Sequence, residues 1–365
     1  MSSNWCTIES DPAVFSSLIE SFGVKNAQLT ELYSLDEGTL LSLNESYGKI
    51  HGLVFLFKWQ GNEATDETDR VSDEDAPEDL FFSRQMITNA CATQALLSIL
   101  LNAKATEDGN DEDNTGAVSL GEILSTLKSF TASFPPDLKG EAIGASDEIR
   151  EAHNSFARKE AFLVDENKKR IATKDDEVFH FIAYGTCACI FQKWMYFCIL
   201  CLLNFQTVVP HSNGIVYELD GLQNGPINVG SFDNTMELDS GMGDLPWLTV
   251  ACAAIQKRIE KYQSSEIKFN LMALTQDRRN YIQSKIKAML EAGLSESDEA
   301  ISALNMDLMH EEEQRKQWEI ENERRRHNYL PFCMELIRAL AKSGNLQECT
   351  RKAREKTNAS GNRGI

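Results

Sequence analysis

The stretch 81–102, FFSRQMITNACATQALLSILLN, constrains the chain most. Its second half is apolar at helical spacing, with Ala95, Leu96, Ile99 and Leu100 recurring on one face, and reads as a buried helix. Asn89 is the expected N-cap, because its side-chain oxygen can accept from the free N–H groups of the first turn. That puts Cys91 in the first turn, where the positive end of the helix dipole favours the thiolate, the reactive form of cysteine. Six residues upstream, Gln85 carries a side-chain amide able to donate to a developing oxyanion. The plain alternative is that Cys91 is a small buried hydrophobe, the commonest fate of a free cysteine.

Two later segments favour the chemical reading. EVFHFIAY (177–184) alternates as a strand, with Val178, His180, Ile182 and Tyr184 on one face and Phe179, Phe181 and Ala183 on the other. GIVYELDG (214–221) is a second strand with Asp220 at its end. The order Gln85, Cys91, His180, Asp220 supplies what a thiol hydrolase needs: an oxyanion donor, a nucleophile, a base and a carboxylate that orients the base.

At this point the sequence resembles a known family. NACATQALLSILLN, FHF and YELDG are similar to the signature segments of the ubiquitin C-terminal hydrolases, papain-like cysteine peptidases. NWCTIESDPAVFSSLIESFGV, HGLVFLFKW, HNSFAR and RRRHNYLPF resemble one branch of it, the proteasome-associated hydrolases with a C-terminal helical extension. The resemblance implies an α/β (α+β) fold, with a central antiparallel sheet flanked by helices and an all-helical C-terminal extension. It implies Cys91 as nucleophile, His180 as general base and then acid, Asp220 as orienting carboxylate and Gln85 as oxyanion donor, with no cofactor and no metal. It also implies that the chain acts on ubiquitin conjugates, in the cytoplasm and nucleus. The helical extension would dock on the ubiquitin-receptor subunit of the proteasome regulatory particle and, in some settings, on a chromatin-remodelling complex. The competing class is an inactive ubiquitin-binding adaptor.

Composition narrows the partners. The net charge is −20, which argues against nucleic acid as the main ligand and suits a basic protein. Residues 311–365 carry 12 Lys/Arg against 9 Asp/Glu, so the acidity lies in residues 1–310. Nine irregularly spaced cysteines are not a disulfide framework and fit a reducing compartment. The N-terminus, MSSNWCTIESD, has no basic segment followed by an apolar core, so no secretory signal is expected.

Taken in order, Ser10-Asp11-Pro12 opens a helix that Gly23 stops. ELYSLDEGTLLSL holds a short helix, and residues 51–59 form a central strand, apolar on both faces. Residues 61–79, with nine acidic side chains, and 107–113 read as loops. Residues 121–134 form a helix ended by Pro135-Pro136, and 139–174 reads as a long polar loop, the crossover loop of the family. Within it His153 reads as a structural or contact residue. GLQNGPINVG supplies a turn, 245–263 a helix and 266–274 a last strand. The catalytic domain is expected over 1–277 and the helical extension over 278–365. In the extension, 278–293 and 301–325 read as helices, and Pro331 breaks the chain before a final amphipathic helix.

Residues 185–208 depart from the family pattern. They push the turn VPHSNG 24 residues downstream and read as an apolar insert. The insert is too short and too interrupted to span a membrane. Its Cys187-x-Cys189 and Cys198-x-x-Cys201 pairs invite a zinc reading, but no polar knuckle or turn residues surround the second pair, whose neighbours are large and apolar. It reads either as a hydrophobic excursion extruded beyond the two strands or as sequence that a mature message lacks.

Overall fold

The computed structural model describes residues 5–58, 71–87, 89–106, 116–157, 203–232, 245–261 and 269–352. Its centre is a six-stranded sheet: β1 (Gln28–Glu31), β2 (Ile50–Lys58), β3 (Leu203–Pro210), β4 (Ile215–Leu219), β5 (Ile227–Ser231) and β6 (Phe269–Thr275). The spatial order is β1-β6-β2-β3-β4-β5, and every neighbouring pair is antiparallel. This is the α+β class that the sequence predicts.

Alternation explains why β2 is central. Val54 and Leu56 point into one core with Met272, Leu274, Val209 and Tyr217, and Leu53 and Phe55 into the opposite core with Leu271, Ala273, Val208 and Val216. A strand buried on both faces needs this near-continuous apolar run. The first core is covered by α1 (Pro12–Ser21), α3 (Cys91–Leu100) and α4 (Gly121–Phe130), the second by α2 (Glu37–Tyr47) and α7 (Leu245–Lys261), whose Trp247 is fully buried. Asp11 caps α1 through Ala13 N–H and Val14 N–H, with Pro12 in the first turn, as expected.

Three sequence expectations need correction. The loop expected from 139 begins as two helices, α5 (Pro136–Ala145) and α6 (Asp147–Ser155), because Pro136 opens α5 and the Ser146 hydroxyl caps α6. Residues 158–174 lie outside the described residues. The turn expected after Asp220 contains β5, and β1 was not expected at all; both are short edge strands with weak alternation. The break expected at Pro331 falls at 327–329, and Pro331 itself sits in the first turn of the helix that follows.

The tail forms α8 (Arg278–Glu291), α9 (Glu299–Arg326) and α10 (Leu330–Lys342). α9 packs on α1 through polar groups, not an apolar stripe. Arg315, 7 % exposed, donates to Glu20 Oε1 at 2.9 Å and Gln28 Oε1 at 2.7 Å. Asn322 donates to the Ala13 carbonyl and Ser17 Oγ, and Arg325 holds Glu9 and Asp11. α10 buries no residue.

Candidate active site

Cys91 is the first residue of α3, and every residue from Ala92 to Leu100 is buried. The expected cap is wrong. Ala90 occupies the N-cap position with no side-chain cap, and Asn89 adopts a left-handed φ of 68°. The Asn89 amide instead donates to the Trp5 carbonyl at 3.0 Å. Asparagine tolerates this region better than most residues, and the kink lets the chain turn sharply into the helix. Burial pushes the Cys91 thiol up to about 11, against the pull of its own N–H and that of Ala92. The helix terminus therefore acts in the expected direction, but desolvation outweighs it. Such a thiol is neutral at pH 7 and needs a base to react.

The loop that carries Gln85 is pinned along its length. Asn102 accepts from Phe81 N–H at 2.7 Å and donates back to the Phe81 carbonyl. The buried Gln94 amide donates to the Ser83 carbonyl at 2.6 Å. Arg84 N–H donates to the Pro136 carbonyl, and Gln85 N–H to the Gly221 carbonyl at 2.8 Å. Close packing requires glycine here. A Cβ on Gly140 would lie 1.9 Å from the Arg84 carbonyl oxygen, and one on Gly144 1.8 Å from Ile87 Cδ1. The Gln85 side-chain amide donates to the Ile87 carbonyl at 3.3 Å.

Asp220 follows β4 directly and is 2 % exposed. Its Oδ1 accepts from Leu222 N–H at 3.0 Å. At the next residue a Cβ would meet Gln94 Nε2 at 2.6 Å and Gln85 Cβ at 3.2 Å. Gly221 thus brings the Asp220 turn onto both α3 and the Gln85 loop. The structure joins three of the four expected elements this way; His180 lies outside the described residues. No cluster of three or more His, Cys, Asp or Glu able to hold a metal occurs among the described residues, and the four insert cysteines lie outside them.

Comparison with known proteins places the chain in a family. The family described as "Ubiquitin carboxyl-terminal hydrolase, family 1" matches residues 5–191, and the region described as "Ubiquitin carboxyl-terminal hydrolases" matches 301–346. The chain belongs to the ubiquitin carboxyl-terminal hydrolase family. It is 37% identical to the Dictyostelium discoideum ubiquitin carboxyl-terminal hydrolase isozyme L5, over 96% of this chain and 95% of that one. It is 38% identical to ubiquitin carboxyl-terminal hydrolase 2 of Schizosaccharomyces pombe, over 93% and 91%. A crystal structure of Trichinella spiralis UCH37 bound to ubiquitin vinyl methyl ester superposes with a TM-score of 0.58 at 29% identity, covering 86% of this chain and 99% of that one.

The family match ends at residue 191, inside the insert. In the structure, part of that insert fills the centre of the sheet. β3 comprises 203–210, pairs with β2 at Leu53↔Val208 and with β4 at Thr207↔Leu219. Residues 203–208 are therefore not extruded, which corrects that expectation. The strand expected beside β4 was 177–184. A shift of 24 residues puts Asn204, the partner of Phe57 in the ladder, where the sequence pattern puts His180. β3 pairs with β2 through residues 203–208 and with β4 through 207–210, and residues 177–184 lie outside the described residues.

Sequence reasoning missed the polar supports of the hydrolase site. Gln94, Asn102 and Gly221 act across 11, 21 and more residues of chain. The only local signal is an amide, Gln94, inside an apolar helix.

Proposed function

We propose that this chain is a thiol-dependent deubiquitinase that cleaves the peptide or isopeptide bond after the C-terminal glycine of ubiquitin. One observation carries the reading. The Gln85 loop runs into Cys91 at the head of α3 and is hydrogen-bonded, through Gln85 N–H, to the turn that bears Asp220. In this mechanism His180 takes the Cys91 proton and the thiolate attacks the glycyl carbonyl. The Gln85 amide donates to the resulting oxyanion. Collapse breaks the C–N bond and His180 protonates the departing amine. A water, deprotonated by His180, then hydrolyses the thioester and frees the Cys91 thiolate. Asp220 orients the imidazole. The residues call for no metal or cofactor. The acidic body suits a basic ubiquitin tail by charge complementarity.

Turnover of a fluorogenic ubiquitin C-terminal amide tests this. Cys91→Ala abolishes it. Gln85→Ala lowers kcat by about 100-fold with little change in binding, because the lost hydrogen bond strengthens in the transition state. Retained turnover in Cys91→Ala, or a loss of binding alone in Gln85→Ala, contradicts the assignments.

The exposed apolar face of α10 supports docking on the proteasome regulatory particle. Phe332, Met334, Leu336 and Ile337 are each 45–65 % exposed. The relatives include BAP1 of Danio rerio, 35% identical over 78% of this chain and 32% of that one, and the reading extends to chromatin-remodelling complexes as alternative docking partners. The chain then works in the cytoplasm and nucleus, where thiols stay reduced. The occupancy of β3 by residues 203–210 favours a second reading, an inactive ubiquitin-binding adaptor. That reading expects ubiquitin binding without turnover in the full chain.

A further inference from the structure

The nucleophile is bracketed by one set of contacts that none of the roles above uses. Before it, Asn89 donates to the Trp5 carbonyl at 3.0 Å. After it, Thr93 Oγ1 lies 2.7 Å from His153 Nδ1. His153 Nε2 lies 2.6 Å from the Cys6 carbonyl oxygen, and Cys6 N–H donates to Asn154 Oδ1 at 2.9 Å. The Trp5-Cys6 segment and α6 therefore hold both flanks of Cys91.

The hydrogen-bond roles follow from chemistry. A carbonyl oxygen only accepts, so Nε2 carries the proton and donates to Cys6. Nδ1 is then the bare nitrogen and accepts from the Thr93 hydroxyl. His153 and Thr93 are both fully buried, and burial holds the imidazole neutral, down to about 4. The Trp5 ring lies against it, with centroids 4.8 Å apart. Imidazole offers one donor and one acceptor on opposite sides of a rigid ring. That shape spans the gap between the N-terminal segment and the first turn of α3.

We infer that His153 is a positioning residue. Through Thr93 on one side and the Cys6 carbonyl on the other, it fixes the first turn of α3 and with it the direction of the Cys91 sulfur. The inference rests on Cys91 being the nucleophile of the proposed hydrolase. The same N-terminal segment is gripped further along by Arg325 of α9, at Glu9 and Asp11, and Arg326 lies over the ring of Phe156 at the end of α6. The C-terminal helices thus bear on the nucleophile through His153 and its partners.

Thr93→Val keeps the branched shape and loses the hydroxyl, while Thr93→Ser keeps the hydroxyl; His153→Gln is the companion variant. Two readouts are needed on the full-length protein. The first is kcat and KM for the fluorogenic ubiquitin amide. The second is the rate at which iodoacetamide alkylates Cys91, read by peptide mass spectrometry, which needs no substrate. Thr93→Val lowers kcat by about tenfold at unchanged KM, and changes the Cys91 alkylation rate while leaving that of exposed Cys333 alone. Thr93→Ser restores both. Equal kcat and equal Cys91 alkylation in Thr93→Val and wild type overturn the inference, as does a Thr93→Ser that behaves like Thr93→Val. If the wild type shows no turnover but Thr93→Val still shifts Cys91 alkylation, the hydrolase reading fails and the positioning role stands.

Discussion

At the scale of single residues, the site is built from groups whose surroundings work against their ordinary chemistry. Burial pushes the Cys91 thiol up to about 11, so a helix terminus alone does not make it a thiolate. His180→Ala therefore leaves Cys91 alkylation slow at pH 7 and accelerating only above about pH 9, whereas a proton-accepting imidazole moves the inflection well below that; iodoacetamide rates across pH measure both. Two buried imidazoles set an acid limit on the fold. Desolvation holds His51 down to about 3 and His153 to about 4, against an ordinary value of 6.5. The unfolded chain takes up these protons below pH 6.5 and the folded chain does not. This contribution is complete above 6.5 and is lost as pH falls towards 4. The urea midpoint is expected to drop between pH 7 and pH 5, and a flat midpoint contradicts the buried neutral rings. The sequence points to Cys91, Gln85 and Asp220 because each sits in or beside a strongly patterned element, and the structure brings the Gln85 loop, the Asp220 turn and the helix headed by Cys91 together. Asn89 was misread because capping and left-handed turn residues are drawn from the same small set. His153 was read as a structural or contact residue, but its partners could not be read, since they lie 60 and 147 residues away.

At the scale of elements, long periodic segments declared themselves and short ones did not. β2 and α3 carry enough apolar pattern to be read directly, and α9 was read as a long charged helix. β1 has only four residues, and β5, INVGS, carries Asn228 and Gly230, which read as turn residues. α5 looked like loop because it carries Gly140 and Gly144, yet close approach to the Gln85 loop is why those glycines are there. β3 is the instructive case. Two segments of this chain have strand character and a register 24 residues apart, 177–184 and 203–208, and one place in the sheet accepts one of them. Joining Tyr184 directly to Val209 puts Ala183 at the Thr207 position, opposite Leu219, and His180 at the Asn204 position, opposite Phe57. The shortened chain is expected to fold, to hydrolyse ubiquitin amides faster than the full chain and to stay monomeric. Activity and monomer fraction, measured side by side, decide it. A deletion variant that fails to fold makes 185–208 integral to the domain.

At the scale of the whole molecule, the helical tail has two parts with different attachments. α8 and α9 are bound to the catalytic portion, with Arg315 seated between Glu20, Gln28 and Asp277 and Arg278 reaching Glu311. Removing one member of a buried charge network leaves the others unsatisfied. Arg315→Ala is therefore expected to cost about 3 kcal/mol in urea unfolding, and a loss near zero means that the network is solvated. A cut after Asp307 removes Arg315, Asn322 and Arg325 together and destabilises the catalytic portion. A cut after His327 removes only α10 and the chain beyond it, and should leave hydrolysis intact while abolishing capture by proteasomes; full capture by that truncation refutes docking through α10. The measurement that bears most directly on the central claim uses ubiquitin carrying a C-terminal vinyl methyl ester. Incubated with the full chain and with the 185–208 deletion, it is expected to add one ubiquitin mass, mapped to Cys91, to the deletion variant and more slowly to the full chain, and to leave Cys91→Ala untouched. Adduct formation at another cysteine, or none in either protein while ubiquitin still binds, contradicts the account of Cys91 as the nucleophile.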